Sequence, residues 1–425
     1  MIPLENVPRL LVDSLVVFFS LCLGLGLLLE GLGALSMIRF YFKKAPPLPK
    51  LDRFPGVTMI KPCYGIHDHE EENFDTFFHQ DYPGPIELLF VVSDVSDPVV
   101  PVIQNYLKKY PDADAQLVIS KTRDSFRRKV DALYDGHAIA KHEVIVWSDS
   151  DAVVGPEYFR ENVASLLQPG TAIVSIPQYE FGVSSFTSAV KVLSNNCDVG
   201  LYISIADWAV HPKKYAWGHS LAFKRSDYEE HRAEVWDVMN RFLADDQSLP
   251  YLFSKYGKTT VLRNIYCPVH CGEKSWSQMI DQKKRWAVCQ RLPFPSRYLY
   301  LSMLLIYPQI NALFLVLLSS FDSFYVGLFF LVAAIKVLLS FQFEFLFLRS
   351  WKMTAKYFAA ICLADLLQIY FAFHAFFTHV ITFHGKAYRV VDRYFLEEVK
   401  PGEGETPESL MKWLKNGLRS VFSLR

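Results

Sequence analysis

Hydrophobic positions along the chain follow two regimes. Residues 14–38 form one long, predominantly apolar run, SLVVFFSLCLGLGLLLEGLGALSMI. At about 1.5 Å of rise per helical residue, that run crosses a bilayer core. It exceeds the apolar core of a signal peptide, and no A-x-A-like cleavage site follows it. Arg39, Lys43 and Lys44 come directly after it, so the positive-inside rule places that end in the cytosol. Past residue 296 the chain turns apolar again, at 298–321, 323–348 and 355–383. Pro308 interrupts the first of these, and Lys336 and Asp365 lie within the other two. Charges at membrane depth are costly and usually face protein or water. One N-terminal and three C-terminal spans would put the Lys- and Arg-rich tail on the wrong side. Residues 298–321 are therefore the candidate for an interfacial or re-entrant segment, leaving two or three C-terminal helices.

The middle of the chain reads differently. PPLPKLDRFPG (46–56) is a stiff linker. Short apolar runs at 57–62, 87–93, 116–120, 143–148 and 171–177 predict strands. They alternate with segments of helical length at 70–80, 98–110 and 127–140. This alternation predicts an α/β domain over 57–296, with a mostly parallel sheet and helices on both faces. The expected organisation is an N-terminal segment 1–13, a transmembrane helix 14–38 and a linker 39–56. The α/β domain 57–296, a membrane region 297–384 and a polar tail 385–425 follow. Within the tail, 401–407 reads as flexible and 408–424 as a short amphipathic surface helix.

Composition agrees with a membrane protein. Apolar residues make up 51% of the chain, and the mean hydropathy is +0.14. Lys+Arg and Asp+Glu are both 44, so net charge is zero and the basic excess of a nucleic-acid binder is missing. Seven cysteines (22, 63, 197, 267, 271, 289 and 362) are scattered, which argues against a disulfide framework and fits a reducing, cytosolic face.

Four places carry candidate chemistry. Asp149-Ser-Asp151 closes the strand-like run EVIVW. Carboxylates at i and i+2 of a strand share a face and can converge on one hard cation, at a strand end where α/β sheets place ligands. An ordinary solvated turn is the competing reading. Asp94 and Asp97 follow the run ELLFVVS; Asp94 is assigned to ligand contact and Asp97, before Pro98, to capping a helix. Asp245 and Asp246 precede QSLPYLFSKYG, either as helix caps or as a general base toward a substrate hydroxyl. Pro250 is expected to interrupt that helix after its first turn. Gln282, Arg285 and Trp286 share one face of a helix predicted over 275–290, suited to a diphosphate and a sugar, or to a membrane interface. Trp208, Trp217, His219 and Trp276 are candidates for the acceptor side or for interfacial packing. Cys267-Pro-Val-His270-Cys271 offers three zinc-type ligands and no fourth, so it reads as a strand end with free thiols.

This motif order resembles the processive-type GT-A glycosyltransferases, and more closely the ceramide glucosyltransferases. The resemblance is carried by IKPCYG (60–65), TFF-x-x-DYP (76–83), ELLFVVSDVSDP (87–98), RKVDALYDGHAIAKHEVIVWSDS (128–150), LADD (243–246) and QKKRW (282–286). It implies a GT-A fold with membrane helices at both ends. It also implies inverting transfer from a UDP-sugar, with UDP-glucose favoured, to the primary hydroxyl of a membrane lipid, with ceramide favoured. Asp94 would contact the uridine, and Lys129 would lie near the nucleotide. Asp149 and Asp151 would hold Mg²⁺ or Mn²⁺ on the diphosphate. Asp246 would be the base, with Asp245 beside it, and Gln282, Arg285 and Trp286 would close the donor site. Departures exist: animal ceramide enzymes tend to carry D-S-G where this chain has Asp149-Ser-Asp151, and the Asn of an N-P-K pattern is replaced around Lys129 by Arg127-Arg128. D-S-D and A-D-D are the pattern of hopanoid-lipid glucosaminyltransferases, so UDP-N-acetylglucosamine and a hopanoid-type acceptor are an alternative. A processive polysaccharide synthase and a non-catalytic GT-A scaffold rank lower. The membrane would be of Golgi or ER type in a eukaryote and the inner membrane in a bacterium.

Overall fold

The computed structural model describes residues 9–50, 52–66, 70–121, 127–209, 215–242, 245–291, 307–377, 380–383, 386–390 and 396–399. The chain divides into two compact units, one from Arg39–Gly182 and Ala206–Gly272, the other from Met1–Ile38, Val183–Ile205 and Glu273–Arg425.

The first unit is built on a sheet. Its strands are β1 (Val57–Cys63), β2 (Ile86–Val92), β3 (Ala115–Ile119), β4 (Val144–Ser148), β5 (Thr171–Ser175), β7 (Ser220–Lys224) and β8 (Thr259–Leu262), in the order β3-β2-β1-β4-β7-β5-β8. Every neighbouring pair is parallel except those made by β7, which runs antiparallel to both β4 and β5. The five expected strands and three expected helices are all present. The helices among them are α2 (Glu70–Phe78), α3 (Val99–Lys109) and α4 (Arg128–Ile139), and α5 (Tyr158–Leu166) follows β4. The period-two rule explains how β1 serves two layers. Val57, Met59 and Cys63 pack into a core with Phe74, Phe77, Val99, Ile103, Tyr158 and Phe159. Ile60, on the other face, meets α4 at Gly136, where a Cβ would lie 2.5 Å from its methyl group. A short pair, β6 (Glu180–Phe181) and β9 (Val269–His270), runs beside the main sheet.

Further helices of this region are α7 (Ser204–Ala209), α8 (Arg225–Glu230), α9 (Arg232–Arg241) and α10 (Asp245–Lys255). α10 continues through Pro250, contrary to the expected interruption. Proline removes one backbone hydrogen bond, but Leu249, Leu252 and Phe253 around it are fully buried, and that burial outweighs the loss.

The second unit is helical. Its members are α1 (Arg9–Tyr41), α6 (Phe186–Asp198) followed by a π-helical turn (Val199–Ile203), α11 (Trp276–Arg291), α12 (Pro308–Leu318), α13 (Ser323–Leu348) and α14 (Lys352–Phe377). Among the described residues, α1 and α13 are long and apolar enough to cross a membrane. α12 has 11 residues, too few to span, and α14 is broken at Tyr357. The stretch expected to run apolar through 383 ends as a helix at Phe377. Across the boundary expected between the apolar stretch and the polar tail, β10 (Val380–Phe383), β11 (Lys386–Val390) and β12 (Leu396–Glu398) form an antiparallel sheet. VITF and KAYRV are rich in β-branched and aromatic residues, which suit a pleated surface better than a helix. Residues 298–306 and 401–424, where a membrane segment and a surface helix were expected, lie outside the described residues.

Within the sheet unit, the backbone carbonyls that follow Arg39 are satisfied by side chains after β8. Asn264 Nδ2 donates to the Tyr41 carbonyl at 2.6 Å, and Arg263 Nη1 donates to that of Lys44 at 2.8 Å. Lys43 pairs with Asp207 at 2.7 Å.

Behind the sheet, His137 of α4 is fully buried. It stacks on Tyr228 with ring centroids 3.8 Å apart and accepts a hydrogen bond from Trp147 Nε1 at 3.0 Å. Burial, aided by the charges of Arg225 and Arg232, lowers its pKa to about 3. The unfolded chain, with an ordinary histidine near pH 6.5, therefore binds more protons than the native state between these values. His137 thus contributes stability above about pH 6.5 that is lost as pH falls toward 3. His137→Gln is expected to flatten the acid limb of a melting-temperature profile taken from pH 7 to pH 4; an unchanged slope would show that this imidazole is not the group being protonated.

Candidate active site

β4 ends at Ser148, so Asp149 and Asp151 stand in the turn that follows rather than on the pleat. Their placement is therefore set by turn contacts, not by strand alternation. The Asp149 N–H donates to the His219 carbonyl at 3.0 Å, extending the β4–β7 ladder by one step. The Ala152 N–H donates to the Asp149 carbonyl at 3.3 Å and closes the turn. Beneath it lies Lys61, fully buried, whose ammonium donates to the same Asp149 carbonyl at 2.5 Å and lies 3.4 Å from Ser148 Oγ. The Phe77 ring is 4.1 Å from that ammonium. Burial pushes the Lys61 ammonium below the usual lysine range, opposed in part by Asp151 and Asp149. From α4, Lys129 Nζ reaches Asp149 Oδ1 at 2.7 Å, both side chains being about one-third exposed.

His219 supports the turn from the other side. Its Nε2 donates to the Cys267 carbonyl at 2.9 Å, and burial holds its pKa down at about 4, so the imidazole is neutral. It packs behind the carboxylates and is buried, which fits a supporting role better than direct acceptor contact. His270, in β9, sits edge-on to Phe181, with ring centroids 5.0 Å apart, and Cys267 and Cys271 are buried free thiols.

Parallel strands deliver the rest to the same sheet edge. After β2, Asp94 is exposed and its Oδ1 accepts from Ser96 N and Ser96 Oγ, both at 2.8 Å. Asp97 is buried, and its Oδ1 accepts from Val99 N at 3.0 Å and from Gly65 N at 2.9 Å. It thereby ties the first turn of α3 to the loop after β1, where Gly65 adopts φ +70°. Tyr64, beside it, is 56% exposed and carries the Arg128 guanidinium 4.9 Å from its ring centre, leaving an aromatic surface at this sheet edge.

The remaining candidates divide. Asp245 and Asp246 open α10, but their side chains, like residues 243–244, lie outside the described residues. Trp208 is half exposed on α7. Trp217 is fixed through its backbone, its N–H donating to Ser175 Oγ at 2.8 Å. In the helical unit, Trp276 opens α11 near Phe186. Gln282, Arg285 and Trp286 share that helix, as expected, and are partly exposed. The Trp286 ring has the ammonium groups of Lys191 and Lys283 each 5.6 Å from its centre.

Asp149 and Asp151 offer two accessible carboxylates, an oxygen donor set suited to Mg²⁺ or Mn²⁺ that retains water and phosphate ligands. Among the described residues no three His, Cys, Asp or Glu side chains form a complete metal cage. Lys61 escaped the sequence reading. Its only signal was a lone lysine at an inward position of the strand VTMIKPC. A buried ammonium usually costs stability, so Lys61→Met is expected to leave the melting temperature unchanged or higher. The same substitution frees the Asp149 turn and is expected to weaken Mn²⁺ binding by about tenfold, read by calorimetry. A parallel loss of stability and binding would make Lys61 a purely structural residue.

Comparison with known proteins completes the picture. A ceramide glucosyltransferase of Candida albicans is 32% identical over 124 residues, covering 27% of this chain and 23% of that protein. Ceramide glucosyltransferase 1 of Caenorhabditis elegans is 27% identical over 151 residues, covering 34% of this chain and 32% of that protein. The aligned stretches thus span about a quarter to a third of these relatives. Among solved structures, the mannosyltransferase PcManGT of Pyrobaculum calidifontis aligns with 84% of this chain and 99% of its own at 20% identity and a TM-score of 0.48. Residues 28–394, most of the chain and both structural units, match the sequence model of glycosyl transferase family 21, and the chain belongs to that family.

Proposed function

We propose that this protein is an inverting glycosyltransferase that moves glucose from UDP-glucose to the primary hydroxyl of ceramide, giving a β-glycosyl lipid. The observation that carries this reading is the Asp149–Asp151 turn at the C-terminal edge of the parallel strands, pinned by Lys61 and faced by Lys129. Family membership supports glycosyl transfer, and the names of the two relatives support glucose and ceramide as the transferred sugar and its acceptor. The apolar helices α1 and α13 would hold the enzyme at the membrane that contains its acceptor. Arg39, Lys43 and Lys44 support a cytosol-facing sheet unit.

In this reading Asp94 and the Tyr64 surface receive the uridine, and Lys129 lies beside the phosphates. A hard divalent cation, Mg²⁺ or Mn²⁺, held by Asp149 and Asp151, would offset charge on the diphosphate. The family resemblance assigns Arg285, a planar fork of donors, to the diphosphate as well, with Gln282 and Trp286 on its helix face. Asp246 accepts the proton of the lipid hydroxyl as that oxygen attacks the anomeric carbon from the face opposite the diphosphate. The bond between the anomeric carbon and the UDP oxygen breaks, UDP leaves with the electron pair, and configuration inverts. Holding both substrates in line supplies much of the acceleration.

A second reading, N-acetylglucosamine transfer to a hopanoid-type lipid, is favoured by Asp151 and by the Ala-Asp-Asp pattern at 244–246. Mass spectrometry of lipids from cells with and without the gene, followed by a donor screen on purified protein, separates the two.

Asp246→Asn should lower transfer by roughly 10³-fold while leaving UDP affinity within about twofold. Near-normal turnover in that variant would remove Asp246 as the base. Asp151→Ala should raise the Mn²⁺ concentration needed for half-maximal rate by about tenfold, and an unchanged metal response would take Asp151 out of the site.

A further inference from the structure

The two charges noted within the apolar stretches belong to one buried network in the helical unit. Lys336, in the middle of α13, is 1% exposed. Its ammonium lies 3.3 Å from Asp198 Oδ1, 3.8 Å from Glu30 Oε1 and 3.8 Å from Asp365 Oδ2. Those carboxylates come from α6, α1 and α14 respectively, so one lysine joins four helices. Tyr307 adds a hydroxyl that donates to Asp198 Oδ2 at 3.3 Å. Three carboxylates around one ammonium is an expensive arrangement in a dry interior, and an apolar cluster of similar volume would hold helices together at least as well. What the network provides is geometry: α1, α6 and α14 have a single point on which all three converge.

α11, which carries Gln282, Arg285 and Trp286, packs on two of these helices, α6 and α14. Lys283 is nearly buried and donates to Ser194 Oγ of α6 at 2.9 Å. Lys191 of α6 lies over the Trp286 ring. Lys284 lies 5.5 Å from the ring centre of Tyr370 on α14. Ser194 and Asp198 are one turn apart on α6, so the residue that holds Lys283 and the residue held by Lys336 move together.

We propose that Lys336 is a positioning residue for the Gln282–Trp286 helix, acting through α6 and α14. Without its ammonium the three carboxylates lose their shared partner, α6 shifts, and the platform under Lys283 and Trp286 loosens. The effect on turnover rests on the donor-side reading of Arg285 and Trp286 given above; the effect on the helix does not.

The full-length protein in lipid nanodiscs serves for the test. Hydrogen exchange of peptides from 276–291 reports on the helix directly, and the KM for UDP-glucose reports on its consequence. Lys336→Met is expected to speed exchange in 276–291 by about tenfold while peptides of β1 and β4 keep their protection. Donor KM is expected to rise by about tenfold with kcat changed less than about threefold, and Lys336→Arg to restore most of both. In the double variant Lys336→Met/Arg285→Ala, the KM should be no worse than in Arg285→Ala alone, whereas a general loss of structure would multiply the two effects. Asp198→Asn severs the α6 limb and leaves Lys336 paired with Glu30 and Asp365, so it covers the case in which Lys336→Met does not fold. It should reproduce the faster exchange in 276–291. Wild-type protection of those residues in Lys336→Met or in Asp198→Asn overturns the proposal. An Arg285→Ala enzyme with normal kcat and KM would instead sink the donor-side reading, and the exchange data would still decide the anchor.

Discussion

A lysine ammonium bonded to a backbone carbonyl beneath the Asp149 turn is the contact on which the site depends. Lys61 has no room to relax: it is enclosed by the rings of Phe74 and Phe77 on one side and the end of β4 on the other. Its donor fixes the main chain of Asp149, and the ladder bond from Asp149 to His219 fixes the same residue from the next strand. Two carboxylates can then stand together in one turn at a strand end, because the turn that carries them is held from below. Uncompensated carboxylates elsewhere on a loop would splay apart; here a buried cation supplies the counter-field.

The helical unit applies similar physics to a different end. Lys336 is again a buried lysine, but its partners are side-chain carboxylates drawn from three helices. Apolar helices in a hydrocarbon environment gain little from hydrophobic contact with one another, so a shared charge is an effective way to specify which faces meet. Both units thus place one lysine where several acceptors converge, once for a turn and once for a bundle. Buried charges of this kind are often no more stable than an apolar cluster of the same volume, which fits residues kept for geometry.

Much of this was legible along the chain. Short continuous apolar runs separated by helical segments marked β1 to β5 and α2 to α4, because strands of a parallel sheet covered on both faces need apolar side chains at successive positions. The motifs around Asp94, Asp149 and Arg285 could be read because acidic and basic side chains at strand ends and on helix faces have few purely structural uses in combination. Other features were misread. Pro250 looked like a helix breaker, yet the buried neighbours of α10 carry the helix through it. The polar composition after residue 385 hid β11 and β12, which pair antiparallel with their neighbours in sequence. Asp149 and Asp151 were placed on a pleat, whereas they sit in a turn whose shape Lys61 and His219 determine.

The order of motifs, the apolar stretches and the strand pattern by themselves determined the fold class and the family resemblance, since these follow from local periodicity and side-chain chemistry. Which charges meet was decided only in three dimensions. Glu30, Asp198, Lys336 and Asp365 are spread over more than three hundred residues of sequence, and nothing local marks them as partners. Lys61 and Asp149 are likewise 88 residues apart and are joined only because β1 and β4 are neighbours in the sheet. A buried charge has to find its partner wherever the packing brings one, and packing is a property of the whole chain rather than of any window along it.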